Sequence, residues 1–205
     1  MDAVALAAAD FVDLKSPTTV NHSRETAHFA ECMARRMELP PSEITNVRRA
    51  ALVHDLGHIT LPSHILLNQD QLNEVDKEKL RLHPYYTKRI LSRVPALAPV
   101  AVIAGMHHER MNGTGYYRGL SGDELPVSAC ILAPADDFQE RLQASPSRRN
   151  LDPQGVLKAM EPDAGSLFSP DCFAALAEEI GVAVPKPRQR HEWPAGLTNR
   201  EVVCL

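Results

Sequence analysis

Ser42-Glu43-Ile44-Thr45-Asn46-Val47-Arg48-Arg49-Ala50-Ala51-Leu52-Val53-His54-Asp55-Leu56-Gly57-His58 is the stretch on which the fold turns. Ile44, Val47, Ala51, Leu52 and Leu56 recur at helical intervals, with Ser42 placed as N-cap and Gly57 as the stop. The C-terminal end of this helix delivers His54, Asp55 and His58. Because the pair His54-Asp55 follows the apolar run Ala50–Val53, it is carried inward. A buried charge has to be paired or metal-bound.

The same helical spacing extends outward in both directions, and strand-like runs bounded by turns are scarce, so the chain reads as all-α. Upstream, an Ala-rich helix from Asp2 to Val12 ends before Pro17, and a second runs from about His22 to Met37. Downstream, a loop with Pro62 and Asn68 leads to Asn73, which caps Glu74 to Leu82; Pro84 then opens a helix over Tyr85 to Val94. Pro95 to His108 is expected as one apolar helix, followed by the turn-rich Asn112-Gly113-Thr114-Gly115-Tyr116-Tyr117-Arg118-Gly119. Pro126 to Leu142, Asp152 to Met160 and Pro170 to Ile180 complete a bundle of seven or more helices.

Composition sets the bounds. The 205 residues are 44% apolar and 23% charged, an ordinary globular balance that excludes a disordered chain. The longest run without a polar side chain, Val94 to Met106, has 13 residues, short of the roughly 18 that span a bilayer. The acidic start Met1-Asp2-Ala3-Val4 lacks the basic region of a secretory signal, so a cytoplasmic protein is expected. Cys32, Cys130, Cys172 and Cys204 are too far apart for a zinc knuckle or a disulfide framework. A net charge of −4 excludes a compact basic nucleic-acid binder. Residues 1–181 carry 18 basic and 24 acidic side chains, whereas residues 182–205 carry 4 and 2.

Histidine is what stands out, with nine in the chain. His22, His54-Asp55, His83, His107-His108 and Asp136 each fall at the end or edge of an expected helix. Imidazole with carboxylate suits Fe, Mn, Zn or Ni rather than Ca or Mg. His54-Asp-Leu-Gly-His58 also has the i, i+4 spacing of zinc-protease helices, but it lacks their glutamate base. His28, His64 and His191 read as surface or packing residues.

These residues carry a resemblance. Asp13-Leu14-Lys15-Ser16-Pro17 with His22-Ser23, His54-Asp55-Leu56-Gly57-His58, His83-Pro84, His107-His108-Glu109-Arg110-Met111-Asn112-Gly113-Thr114-Gly115-Tyr116 and Ile131-Leu132-Ala133-Pro134-Ala135-Asp136 are similar, in order and spacing, to the HD-GYP family. Ala164-Gly165-Ser166-Leu167-Phe168-Ser169-Pro170 resembles that family's closing segment. The resemblance implies the helical bundle of the HD superfamily and a bacterial, metal-dependent phosphodiesterase acting on a cyclic dinucleotide, cyclic di-GMP first. It also implies that His22, His54, Asp55, His83, His107, His108 and Asp136 ligate two divalent ions, iron or manganese before zinc or nickel, with Asp55 as the bridge. Two ions about 3.5–4 Å apart suit an in-line displacement by a metal-bridged hydroxide.

Departures from the family pattern fall around the ligands rather than on them. Thr18 stands where some members have a third-metal glutamate, so two metals are expected. His58 replaces the HDxGK lysine; it is assigned a catalytic role as proton donor or phosphate contact, beside the bridging Asp55. The naming Gly-Tyr-Pro triplet is Gly115-Tyr116-Tyr117, and Gln139 replaces an aspartate. Arg110, Tyr116 and Arg148 are the further candidate substrate contacts, with a structural role open for each. A second reading is a catalytically weak metal- and nucleotide-binding sensor module that regulates an attached DNA-binding domain; a mononucleotide phosphohydrolase is a third.

Three regions are expected: the HD-GYP-like domain over 1–181, a proline-containing basic linker over 182–196, and Leu197-Thr198-Asn199-Arg200-Glu201 within 197–205, which resembles the start of a LuxR-type helix-turn-helix. The chain is therefore expected to be a piece or remnant of a longer protein, with DNA as a partner only through that truncated end. The Ala-rich first helix suits a homodimer contact, and no membrane partner is expected.

Overall fold

The computed structural model describes residues 1–16, 19–144 and 152–182. Arg148, Thr18, the linker from residue 183 onward and the LuxR-like end lie outside the described residues. The described chain is helical, with one isolated bridge between Ala164 and Phe168 and no strand. Its order is α1 (Asp2–Asp13), α2 (His22–Arg36), α3 (Pro41–Val53), α4 (Ser63–Leu67), α5 (Glu74–Arg81), α6 (His83–Leu91), α7 (Ala98–Ala104), α8 (Val127–Ala144), α9 (Pro153–Met160) and α10 (Pro170–Glu179). No helix among the described residues is long and apolar enough to cross a membrane. Cys32, Cys130 and Cys172 are free thiols.

Helix α3 is the central post, packed against α1, α2, α7 and α8. Small side chains make that possible: Ala27, Ala30 and Ala34 of α2 and Ala50 and Ala51 of α3 are all buried. Alanine loses no rotamer entropy on burial and is the best helix former. Larger side chains fill the space behind, including Met33, Ile103, Ile131, Leu157, Met160 and Leu176. Phe138 of α8 meets Phe29 of α2 edge-on at 5.1 Å. Asn73 caps α5 as expected, its side chain accepting from the Asp76 N–H at 2.9 Å. Asp152 likewise caps α9.

The structure moves both ends of two expected helices. Helix α3 begins with Pro41 at its first turn and Pro40 at the N-cap position, so Ser42 lies inside the helix. Proline's missing N–H costs nothing in the first turn and its fixed φ suits a start there. The helix also stops at Val53, and His54 and Asp55 lead into a 3-10 turn over Leu56–Thr60, so Gly57 does not end it. Similarly, Pro95 to His108 is not one helix: a 3-10 turn over Pro95–Leu97 precedes α7, which stops at Ala104 ahead of Gly105. Pro99 sits in the first turn of α7 and marks its start. The segment expected as loop after Pro62 contains α4.

Candidate metal centre

Four helix ends and the middle of a fifth helix converge on one buried pocket. His22 opens α2, His54 and Asp55 follow α3, His83 opens α6, His107 and His108 follow α7, and Asp136 sits within α8. All seven are buried.

Three of the imidazoles are aimed by one repeated device. Nδ1 of His54 donates to the Ala51 carbonyl, Nδ1 of His83 to the Leu80 carbonyl and Nδ1 of His107 to the Ala104 carbonyl, each at 2.7 Å. Each acceptor is three residues upstream, among the last carbonyls of α3, α5 or α7, which have no helical N–H partner. A carbonyl only accepts, so Nδ1 must carry the proton, and in the neutral ring Nε2 is left as a lone pair. Two of those lone pairs face one another, His83 Nε2 lying 3.0 Å from His107 Nε2; His22 Nε2, whose tautomer no such carbonyl fixes, lies 3.2 Å from His54 Nε2 and 3.0 Å from Asp136 Oδ1. Two acceptors at such a distance repel unless positive charge lies between them. The donor set therefore fits a cation, favoured by the negative C-terminal ends of α3, α5 and α7 and opposed by the positive N-terminal ends of α2 and α6.

Asp55 divides the pocket. Its Oδ1 faces His83 Nε2 at 3.3 Å and His107 Nε2 at 3.7 Å, while Oδ2 faces His54 Nε2 at 3.5 Å and His22 Nε2 at 3.8 Å. Asp136 Oδ1 joins the second group, 3.0 Å from His22 Nε2 and 3.1 Å from His54 Nε2. His108 belongs with His83 and His107, its ring 4.1 Å from that of His107. Two groups of side chains of metal-ligating type thus face the two oxygens of one carboxylate.

Charge in the pocket is polarised accordingly. Burial works against ionisation of Asp55 and Asp136, but the surrounding imidazoles outweigh it and hold both carboxyls well below the usual range. Burial pushes His107 and His108 far down, so both are neutral lone-pair donors. For His54 burial is outweighed by Asp55 and Asp136, which lift it to about 10.

His58 reaches the same pocket, with Nδ1 3.5 Å from Asp55 Oδ2 and its ring 4.3 Å from that of His83. Burial lowers it to about 3, leaving a neutral imidazole whose Nε2 has no hydrogen-bond partner. Asp55, His58 and His108 are the most open members, at 7%, 8% and 8% exposure, so the approach from solvent is on their side. Tyr116 stands there, its ring 4.7 Å from His108 and the Arg81 guanidinium 5.8 Å above it. Arg110 is turned elsewhere: its guanidinium lies 5.2 Å over the Phe168 ring and donates to the His107 carbonyl at 3.2 Å.

Four supporting residues complete the frame. Buried Asp13 accepts from the Ser23 N–H at 3.1 Å and from Ser23 Oγ at 2.6 Å, fixing the first turn of α2 where His22 sits. Thr87 of α6 donates to the His54 carbonyl at 2.7 Å and accepts from the Gly57 N–H at 2.8 Å. Gly57 lies so near the His83 backbone that a Cβ there would collide with its carbonyl. Buried Glu109 accepts from the N–H groups of Arg118 and Leu120, each at 2.8 Å, clamping the loop that carries Tyr116. Sequence reasoning gave no role to Asp13 or Thr87. The only signal for Asp13 was its place in the DLKSP run, and Thr87 left none.

A helical bundle whose helix ends gather five imidazoles and two carboxylates into one buried pocket is the architecture of a His/Asp metal-site protein. The HD domain family model matches residues 7–172, and the chain belongs to that family. It is 32% identical over 182 residues to 3'3'-cGAMP-specific phosphodiesterase 3 of Vibrio cholerae, a match covering 89% of this chain and 40% of the relative. It is 34% identical over 167 residues to a cyclic di-GMP phosphodiesterase of Thermotoga maritima, covering 79% and 45%. The chain thus spans less than half the length of these relatives. Among solved structures it superposes on Bd1817, an HDG"Y"P protein from Bdellovibrio bacteriovorus, with a TM-score of 0.68 at 17% identity over 88% of this chain and 63% of that one.

Proposed function

We propose that this chain is a phosphodiesterase module of the HD-GYP branch that hydrolyses a guanine-containing 3',3'-cyclic dinucleotide, cyclic di-GMP first and cyclic GMP-AMP next. The observation that carries this reading is the division of Asp55, whose two oxygens face two separate groups of ligands. His22, His54, Asp136 and Asp55 Oδ2 would hold one divalent ion; His83, His107, His108 and Asp55 Oδ1 would hold the other. Iron or manganese comes first, with zinc or nickel as alternatives. Such a pair supplies Lewis-acid activation of the phosphodiester and a water acidic enough to attack at neutral pH.

The chain's own residues do the rest. Five uncharged donors and only two carboxylates keep the loaded pocket net positive toward a phosphodiester anion. Tyr116, at the open side, offers an aromatic face to a base, and His58 offers a neutral imidazole beside Asp55. Arg148 is assigned to a phosphate, and Arg110 contributes positive field from behind His108. The position of His58 favours a second reading: without the fixed charge of a lysine, the pocket binds the dinucleotide and turns it over weakly, as a sensor.

Incubating manganese- or iron-loaded protein under reducing conditions with cyclic di-GMP, and separately with cyclic GMP-AMP, and resolving the products by chromatography separates the two readings. Linear dinucleotide or mononucleotide is the expected product. Binding without product from metal-replete protein overturns the phosphodiesterase and leaves the sensor.

A further inference from the structure

On the far side of α2 from its first turn lies a second group of metal-type side chains. His28 and Cys32 are one helical turn apart on α2, and Glu179 reaches them from the last residue of α10. One ligand atom from each lies within 4.8 Å of the others. His28 is exposed and Cys32 and Glu179 are half-buried, so the group is open to solvent. Six residues of helix separate His28 from His22, about 9 Å along the axis. This group is therefore distinct from the His/Asp centre.

Its chemistry differs too. The His/Asp centre offers nitrogen and oxygen, whereas this group adds a sulfur. The Cys32 thiol hydrogen-bonds the Glu179 carboxylate. Glu179 is held in place by Arg36, whose Nε donates to Glu179 Oε2 at 2.8 Å. The arrangement leaves one imidazole, one thiol and one carboxylate facing a common point, with the guanidinium outside it.

We propose that His28, Cys32 and Glu179 form a second site for a zinc-type divalent cation that staples α2 to α10. Tetrahedral zinc spaces its ligand atoms about 3.3–3.8 Å apart, so small rotations of the exposed His28 and of Cys32 close the site. The Cys32 S–H proton passes to solvent as the sulfur–metal bond forms, the imidazole and carboxylate complete three protein ligands, and water takes the fourth position. The divalent charge balances the thiolate and the carboxylate, while Arg36 stays hydrogen-bonded to Glu179 Oε2 and has the Glu178 carboxylate 4.0 Å away to offset its own charge. The consequence is mechanical: α2, which opens with His22, is locked to the helix that ends the described domain.

Cobalt(II) titration of the full chain tests this, because a sulfur-to-cobalt charge-transfer band in the near ultraviolet can arise only from a cysteine ligand and not from the His/Asp centre. The parent is expected to show the band. Asp55→Ala is expected to keep it while losing metal from the other centre. Cys32→Ser should abolish it together with one equivalent of cobalt, and His28→Ala, at an exposed position, should weaken it by about tenfold or more. As a measurement independent of any variant's folding, zinc should slow alkylation of Cys32, read by peptide mass spectrometry, by about tenfold or more. A parent without the band at saturating cobalt, a band that survives Cys32→Ser, or alkylation indifferent to zinc would each overturn the site.

Discussion

The floor and the mouth of the pocket are built by different means. On the floor, His54, His83 and His107 are each tied by Nδ1 to a carbonyl of the helix they follow, so the ring cannot turn without breaking a hydrogen bond to the backbone. At the mouth, residues 110–120 are held by bonds between loop segments: the Glu109 carboxylate accepts from Arg118 and Leu120, the Met111 N–H donates to the Leu167 carbonyl, and Tyr116 donates its N–H to the His108 carbonyl at 3.1 Å with its ring against His108. Side-chain direction on the floor is thus a property of the helices themselves, while the mouth is set by contacts between loop segments, the Glu109 carboxylate among them. Of the departures from the family pattern among the described residues, His58 and Tyr117 lie at the mouth, whereas Gln139 is buried in α8 one turn beyond Asp136. Variants in the two regions should accordingly separate metal binding from substrate handling.

The largest effect is expected from Asp55→Ala. Removing the carboxylate that both ligand groups share should release metal from the His/Asp centre and lower turnover by about 10²–10³-fold or more. Metal content by plasma emission spectrometry is the check; full metal occupancy in this variant would show that Asp55 is not shared. Next comes Gly57→Ala. The added methyl meets the His83 carbonyl, and overpacking of this kind costs about 3 kcal/mol. Thermal unfolding should drop by about 6–12 °C in a domain of this size. An unchanged midpoint would mean that α6 slides away freely and the floor is less rigid than its hydrogen bonds imply.

Glu109→Gln strikes the mouth. The amide can accept from one of the two N–H groups but turns a donor toward the other, at a cost of about 2 kcal/mol. Metal content should be unaltered, while KM for a cyclic dinucleotide rises several-fold as the loop carrying Tyr116 loosens. Loss of metal from this variant would break the distinction between the two regions.

How far the sequence foretold this follows from the same distinction. The convergence of these seven side chains was legible because each is a polar residue at the edge of a periodic apolar run, and the fold joins those edges. The helical class was legible for the same reason. The ends of α3 and α7 were misplaced by several residues, since apolar periodicity continues through Leu56 and Met106 although the backbone has already left the helix. Those early stops matter, for they free the Ala51 and Ala104 carbonyls to receive the imidazoles. Thr87 was invisible, and Asp13 and Ser23 stood in motif runs without a role, because their partners are set by packing between helices. His28 and Cys32 showed a one-turn spacing, yet Glu179 joins them only when α10 folds back onto α2.

The smallest effect is expected at His58, and it bears most directly on catalysis. The imidazole lies 3.5 Å from Asp55 Oδ2, and burial keeps it neutral down to about pH 3. Its ordinary value is about 6.5, so the lowering means that the ring carries no proton to give between pH 6 and 8. His58→Ala should therefore leave metal content unchanged, reduce turnover by no more than about tenfold, and leave the shape of the pH–rate profile over that interval as it was. A profile that loses its acidic limb in the variant would show that His58 titrates in the working pocket and donates a proton to the leaving oxygen. His58→Lys sharpens the point: if the mouth lacks only a fixed positive charge, the lysine raises turnover, and if the neutral ring is needed beside Asp55, it lowers it.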